Sequence, residues 1–353
     1  MTSYRFDKSY EWNYANGPLL SGVEAAVPAT PIKDFLGIPV ASRFGIAAGI
    51  LLNARWVAAY ARLGYDILTY KTVRSRARAC YALPNWVYVE PGALDFAADP
   101  AAVRARAVPA DGARPESGVA SSVSFGTPSK APAEWMPDVA RARAAIGPGQ
   151  ALVVSITATP EDGDMVADFA NLAAMAREAG AQAVEANLSC PNVTTAEGQI
   201  FRDAELSGRV AMAMRGAAGG LPVAVKPGYL PDDRALRAFL RAVDGAADAV
   251  LMGNGIPRRV VDAAGAPVFG PGREVSGICG PDLHAACVAE LRRGARLAAE
   301  DGLGLRLIGI GGVHSAATTG AYFDAGAAAV MMGSAPAFDP GLGARLKAEH
   351  PDW

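Results

Sequence analysis

Eight short, uninterrupted apolar runs along the chain constrain its fold more than any other feature of the sequence. Strands covered by helices on both faces lose the alternation of exposed sheets, so such runs are typical of parallel strands. Four runs follow an Ala-rich amphipathic segment that ends at a glycine, where a helix can close through a left-handed residue. These four read ARLGYDILTYK, AREAGAQAVEANLS, AVDGAADAVLMGN and FDAGAAAVMMGS, and the others are FGIAAG, ALVVSIT, PVAVKPG and RLIGIGG.

Helices are predicted between these runs, and eight strands that alternate with eight helices favour a (β/α)8 TIM barrel over residues 44–350. An open, doubly wound sheet is the alternative fold. Residues 1–43 are expected to form an N-terminal extension that covers the bottom of the barrel. Residues 73–132 are too long for a simple loop and predict a lid over the barrel mouth, with 255–281 as a second long connection on that side.

The charge distribution argues against a nucleic-acid partner and favours a small-molecule one. The formal net charge is -2, and the lysines and arginines are scattered rather than clustered. The sequence has no apolar run of membrane-spanning length, and its N-terminus lacks a basic stretch followed by an apolar one. These features predict no membrane association and a cytoplasmic location.

The cysteines and histidines predict neither disulfides nor a metal site. No two cysteines form a CxxC pair, and a chain of this length does not need disulfides, so free thiols are expected. The histidines lack the spacing of metal ligands. The residues concerned are Cys80, Cys190, Cys279, Cys287, His284, His314 and His350.

Polar residues and glycines stand at or just past the carboxyl ends of most of the apolar runs. Those ends converge on one face of a barrel, the face that carries active sites in this fold. The sequence therefore predicts one shared pocket. Its candidate residues are Lys71, Asn187, Ser189, Cys190, Lys226, Asn254, Gly311, Gly312, Gly333 and Ser334.

Two neighbouring strand ends predict a phosphate site. RLIGIGG ends in Gly311 and Gly312, Ser315 is well placed to cap the helix that follows, and the next strand ends in Gly333 and Ser334. Glycine lets backbone N–H groups approach an anion closely, and the helix N-terminus adds unpaired donors. Barrels commonly hold phosphate after strands seven and eight. The alternative is that these glycines only make tight turns.

The remaining strand ends favour a flavin. Ala47, Ala48 and Gly49 leave flat space at the end of the first strand, and Lys71 and Lys226 end two others. A cation beside a redox ring stabilises the negative charge gained on reduction. A flat floor, two lysines and a phosphate site together suit FMN. A flavin-free barrel that binds the phosphate of an aldolase or isomerase substrate is the competing interpretation.

With these motifs in place, the sequence resembles the dihydroorotate dehydrogenase family of FMN-dependent barrels, from about residue 34 to residue 341. The most specific motif is NLSCPN at 187–192. Single glycine motifs are weak signals, but their order and their positions at strand ends make the set specific. The supporting motifs are AAG at 47–49, YKT at 70–72, VKP at 225–227, NGI at 254–256, VSG at 275–277, and GGV followed by MGS.

The resemblance implies an oxidoreductase of pyrimidine metabolism that acts on a CH–CH bond. In the family, a hydride leaves a dihydropyrimidine ring for flavin N5 while a loop side chain takes the neighbouring proton. Members with cysteine in NLSCPN resemble the soluble class, which makes Cys190 the expected base, with Lys71 beside it as a second catalytic residue. A soluble electron acceptor, such as fumarate or oxygen, and a homodimer are also expected.

The resemblance further implies which residues bind cofactor and substrate. Asparagine amides suit a ring of alternating C=O and N–H groups. The expected cofactor-binding residues are Ala47, Ala48, Gly49, Lys71, Thr72, Asn187, Lys226, Gly277, Gly311, Gly312, Gly333 and Ser334. The expected substrate-binding residues are Asn187, Asn192, Asn254, Lys71 and Ser124.

The segment VSFGTPS at 123–129 departs from the family pattern. Val123 and Ser129 stand where the family carries asparagines, and leaving a polar substrate group unpaired costs on the order of 1–3 kcal/mol. Dihydroorotate is therefore the leading substrate, and a related cyclic amide or an intermediate of a specialised pathway is close behind. A non-catalytic descendant that binds ligand is a third interpretation. Arg74, Arg76 and Arg78 are expected at the surface, or one of them meets a substrate carboxylate.

Overall fold

The structure, a computed structural model, describes residues 2–90, 104–109, 119–159, 163–189 and 199–353. Its helices are α1 (Tyr10–Asn16), α2 (Ala54–Ala61), α3 (Pro132–Ala145), α4 (Met165–Glu178), α5 (Ala204–Ala217), α6 (Asp233–Val243), α7 (His284–Asp301), α8 (Ala316–Asp324), α9 (Ala335–Phe338) and α10 (Leu342–Glu349). Its strands are β1 (Lys33–Phe35), β2 (Ile38–Val40), β3 (Phe44–Ile46), β4 (Ile67–Val73), β5 (Trp86–Val89), β6 (Arg104–Val108), β7 (Ser121–Val123), β8 (Ala151–Ile156), β9 (Ala183–Asn187), β10 (Val223–Lys226), β11 (Ala249–Met252), β12 (Ile256–Val261), β13 (Val275–Cys279), β14 (Arg306–Ile310) and β15 (Ala329–Met332).

Eight parallel strands close into a barrel in the order β3, β4, β8, β9, β10, β11, β14, β15, and β15 pairs back onto β3. Each strand comes from one of the eight apolar runs. The strands are almost completely buried because helices cover them outside and side chains fill the barrel within. The predicted (β/α)8 TIM barrel is confirmed, and the open sheet is excluded.

The bottom of the barrel interior is apolar and covered. Inward side chains such as Ile67, Ala151 and Ala329 form one cluster with Phe35 and Val40 of the β1–β2 hairpin. The small alanines leave room for the larger side chains beside them, which is how a narrow barrel fills without voids. The hairpin therefore covers the amino ends of the strands and leaves the opposite end for ligands.

The two long connections form one structure rather than two separate loops. Strands β5, β6 and β7 come from the first connection, β12 and β13 come from the second, and together they close a five-stranded sheet in the order β12, β13, β7, β5, β6. We call this sheet the lid. Its strands are short and of mixed composition, so their pairing across more than a hundred residues leaves no local signal in the sequence.

The aromatic N-terminus packs against the lid. The ring of Tyr4 lies 5.1 Å from that of Trp86 and 5.7 Å from that of Phe125, and Phe6 stacks on Trp86 at 4.6 Å. Ser9 caps α1 by accepting a hydrogen bond from the Trp12 N–H. The first residues of the chain thus support the lid, whereas the hairpin covers the opposite end of the barrel. Among the residues that the structure describes, no helix is long and apolar enough to cross a membrane.

Candidate active site

A cavity lies at the carboxyl ends of the barrel strands, between the barrel and the lid. The open space measures about 1250 Å³, part of it continuous with bulk solvent. Pockets for small ligands commonly measure roughly 300–1,000 Å³. Most of the predicted residues line this cavity: Ala47, Ala48, Gly49, Lys71, Thr72, Asn187, Ser189, Lys226, Asn254, Gly277, Gly311, Gly312, Gly333 and Ser334.

The glycines after β14 have no room for side chains. Gly311 has φ +118°, and a Cβ there would lie 2.6 Å from Cys287 Sγ. Gly312 has φ +67°, and a Cβ there would lie 2.6 Å from His284 Cβ. Only glycine adopts such backbone conformations against such close neighbours without strain. The two residues bring the backbone of the turn directly to the cavity wall.

This turn and the one after β15 present unpaired backbone donors to the cavity. Within the described part of the chain, the backbone N–H groups of Gly312, Val313, Gly333 and Ser334 donate no hydrogen bond, and all four residues line the cavity. A Cβ built on Gly333 meets nothing within 4 Å, so the space beside it is open. Clustered unpaired N–H groups beside open space suit an anion such as phosphate.

Helix α8 begins immediately after this turn and is firmly capped. The Ser315 hydroxyl accepts from the Thr318 N–H at 3.2 Å, and the Thr318 hydroxyl accepts from the Ser315 N–H at 2.9 Å. This reciprocal pair is a capping box, so the predicted N-cap role of Ser315 is confirmed. His314 is held on the same turn, with Nδ1 2.8 Å from the Gly312 carbonyl oxygen.

A buried ion pair extends from the cavity into the barrel interior. Lys226 Nζ donates to Glu185 Oε1 at 2.7 Å, and the two side chains are 4% and 1% exposed. The Ser155 hydroxyl also donates to Glu185 Oε1, at 2.8 Å, and lies 3.0 Å from the Thr72 hydroxyl. This network fixes Lys226 and Thr72, both of which line the cavity. Glu185 Oε2 is buried and has no hydrogen-bond partner among the described residues.

Lys71 and Thr72 are consecutive residues, yet both line the cavity. Alternation in a regular strand would point them to opposite faces. The register of β4 against β8 shifts between Tyr70 and Val73, which is the irregularity that allows both to face the cavity. The Lys71 N–H donates to the Leu51 carbonyl at 2.9 Å and anchors the strand end.

Asparagines form the wall beside Lys226. Asn254 Nδ2 donates to the Ser189 carbonyl at 3.0 Å and lies 3.4 Å from Asn187 Oδ1. Asn254 Oδ1 accepts from the Gly255 N–H at 2.8 Å. Asn187 and Asn254 therefore lie together near the carboxyl ends of β9 and β11, as expected for the single pocket that the sequence predicted. Cys190 and Asn192, the other two residues predicted beside them, lie outside the described residues.

Ser124 is a correction to the predicted substrate-binding set, because it does not line the cavity. It is fully buried, and its N–H donates to the carbonyl of Asn85, the residue just before β5. Val123 lines the cavity, and successive residues of an extended segment face opposite sides, so Ser124 points into the lid. Ser129 does not line the cavity either, and its hydroxyl accepts a hydrogen bond from the Arg74 N–H at 3.0 Å.

The predicted surface position of Arg74 is wrong. Arg74 is 1% exposed, and its guanidinium donates to the carbonyls of Thr127 and Ala158. Arg74 is not among the residues that line the cavity, so it supports the backbone behind Thr127. Burial of an arginine requires several hydrogen-bond acceptors, and carbonyl groups at the ends of two segments supply them here.

Several cavity residues were not predicted, and many of them lie in the lid strands or in the segments next to those strands. Their apolar character gave no chemical signal in the sequence, and the lid had no predictable strands. Cys279 also lines the cavity, and burial raises the pKa of its thiol to about 11. It is therefore a neutral thiol near pH 7. The missed residues in or next to the lid strands include Trp86, Val119, Phe125, Thr127, Gly280, Pro281 and Leu283.

No group of three or more His, Cys, Asp or Glu side chains that could hold a metal ion occurs in the described ranges. The polar groups at the cavity are instead lysines, amides, hydroxyls and backbone N–H groups. This donor set suits an organic ligand with an anionic group and ring carbonyls.

Comparisons with known proteins give a consistent result. The family model for dihydroorotate dehydrogenase matches residues 131–346. Dihydroorotate dehydrogenase from Dictyostelium discoideum is 31% identical over 351 residues, which cover 96% of this chain and 94% of that protein. Dihydroorotate dehydrogenase A (fumarate) from Limosilactobacillus reuteri is 28% identical over 193 residues, which cover 53% of this chain and 56% of that protein.

A solved structure supports the fold independently. The crystal structure of DHODH from Eimeria tenella in complex with ferulenol superposes with a TM-score of 0.73, covering 96% of this chain and 88% of that one, at 14% identity. Identity this low shows the fold alone, whereas the family model and the Dictyostelium relative show the family. The chain belongs to the dihydroorotate dehydrogenase family of flavin-dependent oxidoreductases, which act on the CH–CH bond of dihydroorotate.

Proposed function

We propose that the protein binds FMN across the carboxyl ends of its barrel strands and oxidises a dihydropyrimidine. Dihydroorotate is the leading substrate and orotate the product. The observation that carries this proposal is the combination of unpaired backbone donors after β14 and β15 with a buried lysine at the end of β10, around one cavity. A candidate anion site and a cation that line the same cavity would match the two ends of a flavin mononucleotide.

The chain's own groups fit FMN. Gly312, Val313, Gly333 and Ser334 would hold the phosphate through their N–H groups, beside the open space at Gly333. Ala47, Ala48 and Gly49, which follow neighbouring β3, leave a flat surface against which a ring system can lie. Bound FMN supplies a two-electron acceptor at its ring.

Lys226 would face the ring and stabilise the negative charge gained on reduction. Its ammonium group is held by Glu185, and Ser155 orients that carboxylate. A fixed ion pair needs little reorganisation during the reaction, which makes its electrostatic effect larger than that of a mobile surface lysine. Glu185 also offsets part of the positive charge, so it limits how strongly Lys226 favours the reduced ring.

The asparagine wall would bind the substrate, and Cys190 would take its proton. Asn187 and Asn254 would offer amide donors and acceptors to the ring edge, and Lys71 lines the same cavity. Ser189, which immediately precedes Cys190, lines the cavity and is fixed by Asn254. Cys279 also lies at the cavity, but with its pKa near 11 it holds its proton at neutral pH. We therefore assign the base role to Cys190.

The proposal extends to the electron acceptor and the location. The Limosilactobacillus relative is named for fumarate, so fumarate is the acceptor to test first. We infer a cytoplasmic enzyme that uses a soluble acceptor and contacts neither nucleic acid nor membrane, and the homodimer expected for soluble relatives remains part of this proposal. The net charge of -2 and the scattered basic residues support the absence of a nucleic-acid partner.

A second candidate is the oxidation of a different cyclic amide by the same chemistry. The observation that favours it is Val123, an apolar residue in the cavity wall. A valine cannot donate to or accept from a polar substrate group, so the cavity is not fully matched to dihydroorotate.

Anaerobic flavin reduction tests the proposal. Purified protein is mixed without oxygen with dihydroorotate, dihydrouracil or related cyclic amides, and the flavin absorbance is followed. Bound FMN that bleaches with one of these compounds is the expected result. Colourless protein that saturates with a sugar phosphate would favour the aldolase or isomerase interpretation, and flavin that no reductant bleaches would favour a non-catalytic ligand-binding protein.

A further inference from the structure

A short turn at residues 125–127 borders the cavity in a backbone conformation that its sequence disfavours. Gly126 has φ +74° and Thr127 has φ +51°. Thr127 is β-branched and precedes Pro128, and each of these features disfavours a positive φ. Such strained backbone persists only where the surrounding structure holds it in place. Phe125 and Thr127 both line the cavity, so the strain lies at the ligand site.

The strained turn offers hydrogen-bond donors to a ligand. Within the described ranges, the N–H groups of Phe125 and Gly126 donate no hydrogen bond. The Phe125 carbonyl accepts from the Tyr81 N–H at 3.1 Å, which polarises the peptide group that carries the Gly126 N–H. Successive N–H groups in a tight turn form a concave site for an anion. Lys71 lines the same cavity and adds a positive charge.

Arg74 holds this turn from behind. Its Nε donates to the Thr127 carbonyl at 3.1 Å, and its Nη1 donates to the Ala158 carbonyl, which follows barrel strand β8. The Arg74 backbone is itself fixed, because its N–H donates to Ser129 Oγ and its carbonyl accepts from Trp135 Nε1, each at 3.0 Å. Arg74 is 1% exposed and does not line the cavity. It therefore ties the turn to the barrel without reaching the ligand.

We propose that Arg74 is a positioning residue for the carboxylate of the substrate. It fixes Thr127 at positive φ, and this conformation aims the N–H groups of the 125–127 turn at the anionic end of the substrate. Its buried positive charge also favours an anion on the other side of the turn. The inference rests on the proposed function and names a residue that shapes the same cavity. Arg74 takes no part in hydride or proton transfer.

The ratio of two ligand affinities tests this role. Orotate carries the carboxylate and uracil is the same ring without it, so the ratio of their dissociation constants reports the anion subsite alone. Each ligand is titrated into the oxidised, FMN-loaded protein, and binding is read from the shift of the flavin spectrum. Arg74→Met should lower the preference for orotate over uracil by about 10–100-fold, the value of one hydrogen bond to a charged group. FMN and uracil affinities should stay near the wild-type values.

Two further variants keep the test decisive if Arg74→Met folds poorly. Arg74→Lys keeps the positive charge but not the paired donors of the guanidinium, so it should shift the preference in the same direction by less. Thr127→Gly adopts a positive φ without strain and should depend less on Arg74. Arg74→Met combined with Thr127→Gly should therefore lose less orotate preference, relative to Thr127→Gly alone, than Arg74→Met loses relative to the wild type.

Arg76→Met is the matched control. Arg76 lies two residues along the same segment, is exposed and does not line the cavity. The substitution removes the same charge from the same part of the chain but leaves the support of the 125–127 turn intact. It should leave the preference for orotate over uracil unchanged. A shift as large as that of Arg74→Met would mean that overall charge, rather than the turn, sets the preference, and would overturn the inference.

The other outcomes separate this inference from the proposed function. Arg74→Met protein that holds FMN, is reduced by dihydroorotate and keeps the wild-type orotate preference overturns the inference and leaves the proposed function standing. The same result in Arg74→Lys has the same meaning if Arg74→Met does not fold. Equal losses of orotate and uracil affinity would show a merely structural role and would also overturn it. Wild-type protein that holds no flavin contradicts the proposed function itself.

Discussion

Two buried ion pairs, one at each end of the barrel, differ in what surrounds them. At the amino end, Asp66 pairs with Lys347 at 2.6 Å, and both carboxylate oxygens have further partners in Ser42 and Gln150. At the carboxyl end, Glu185 pairs with Lys226 at 2.7 Å, but Glu185 Oε2 has no partner in the described chain and Lys226 lines the cavity.

The difference separates a structural charge pair from a functional one. Burial alone does not distinguish them, because all four side chains are at most 5% exposed. The amino-end pair is enclosed by the protein, so removal of either partner would leave an uncompensated buried charge. The carboxyl-end pair borders the cavity through Lys226, and we propose that a ligand binds there. Substitutions at the two ends of the barrel test whether the amino end governs stability and the carboxyl end governs flavin binding.

The largest expected effect is on the rate of flavin reduction, and it follows from a substitution at the carboxyl end of the barrel. Cys190→Ala should retain FMN but slow flavin reduction by about 10²–10⁴-fold, the usual contribution of a positioned acid or base. Stopped-flow absorbance under anaerobic conditions measures the rate. Cys80→Ala is the control, because Cys80 does not line the cavity and burial raises the pKa of its thiol to about 12. Equal reduction rates in both variants would remove Cys190 from the reaction.

The next largest effect is on the free energy of unfolding, and it follows from a substitution in the amino-end ion pair. Lys347→Met leaves the Asp66 carboxylate buried without its cation, which should lower the free energy of unfolding by about 3–5 kcal/mol. Urea denaturation measures this change, and an FMN titration of the folded variant should give the wild-type affinity. A large loss of FMN affinity in folded Lys347→Met would show that the two ends are not separable.

The matching substitution at the carboxyl end should show the opposite pattern. Lys226→Met removes a charged donor from the cavity and should weaken FMN binding by about 10–100-fold, the value of one hydrogen bond to a charged group. Its unfolding free energy should fall by less than that of Lys347→Met, because Lys226 borders the cavity and water from the cavity can take the place of its ammonium group beside Glu185. Calorimetric titration with FMN gives the affinity. Wild-type affinity in this variant would contradict the assigned role of Lys226.

A smaller effect should distinguish the two carboxylates. Glu185→Gln removes a negative charge near the reduced ring, so the flavin midpoint potential should rise by about 30 mV, equivalent to about 1.4 kcal/mol for two electrons. Asp66→Asn at the other end should leave the potential unchanged. Equilibrium reduction against a reference dye measures both. An unchanged or lower potential in Glu185→Gln would mean that this carboxylate does not reach the flavin.

The sequence predicted the barrel well because its signal is local. Each buried strand is an apolar run, and the residues at its carboxyl end must face the same side as those of the other strands. Lys71, Asn187, Lys226 and Asn254 were therefore found without any knowledge of contacts.

The lid and the ion pair were harder to predict for different reasons. Strand β7 has only three residues and pairs with β13 far along the chain, which no local pattern encodes. Ser124 was misplaced because a single residue of register decides which face it takes. The pairing of Glu185 with Lys226 had a readable signal, since a carboxylate inside an apolar run needs a partner, and the next strand ends in a lysine.

An FMN titration of Gly333→Val beside the wild type tests the central claim most directly. A Cβ at Gly333 meets nothing within 4 Å, so the valine should fold without strain and fill the space assigned to the phosphate. We predict one FMN per chain in the wild type and at least a hundredfold weaker binding in the variant, on the order of 3 kcal/mol for lost charged hydrogen bonds. Wild-type affinity in a folded Gly333→Val protein would contradict the assignment of this cavity as the flavin site.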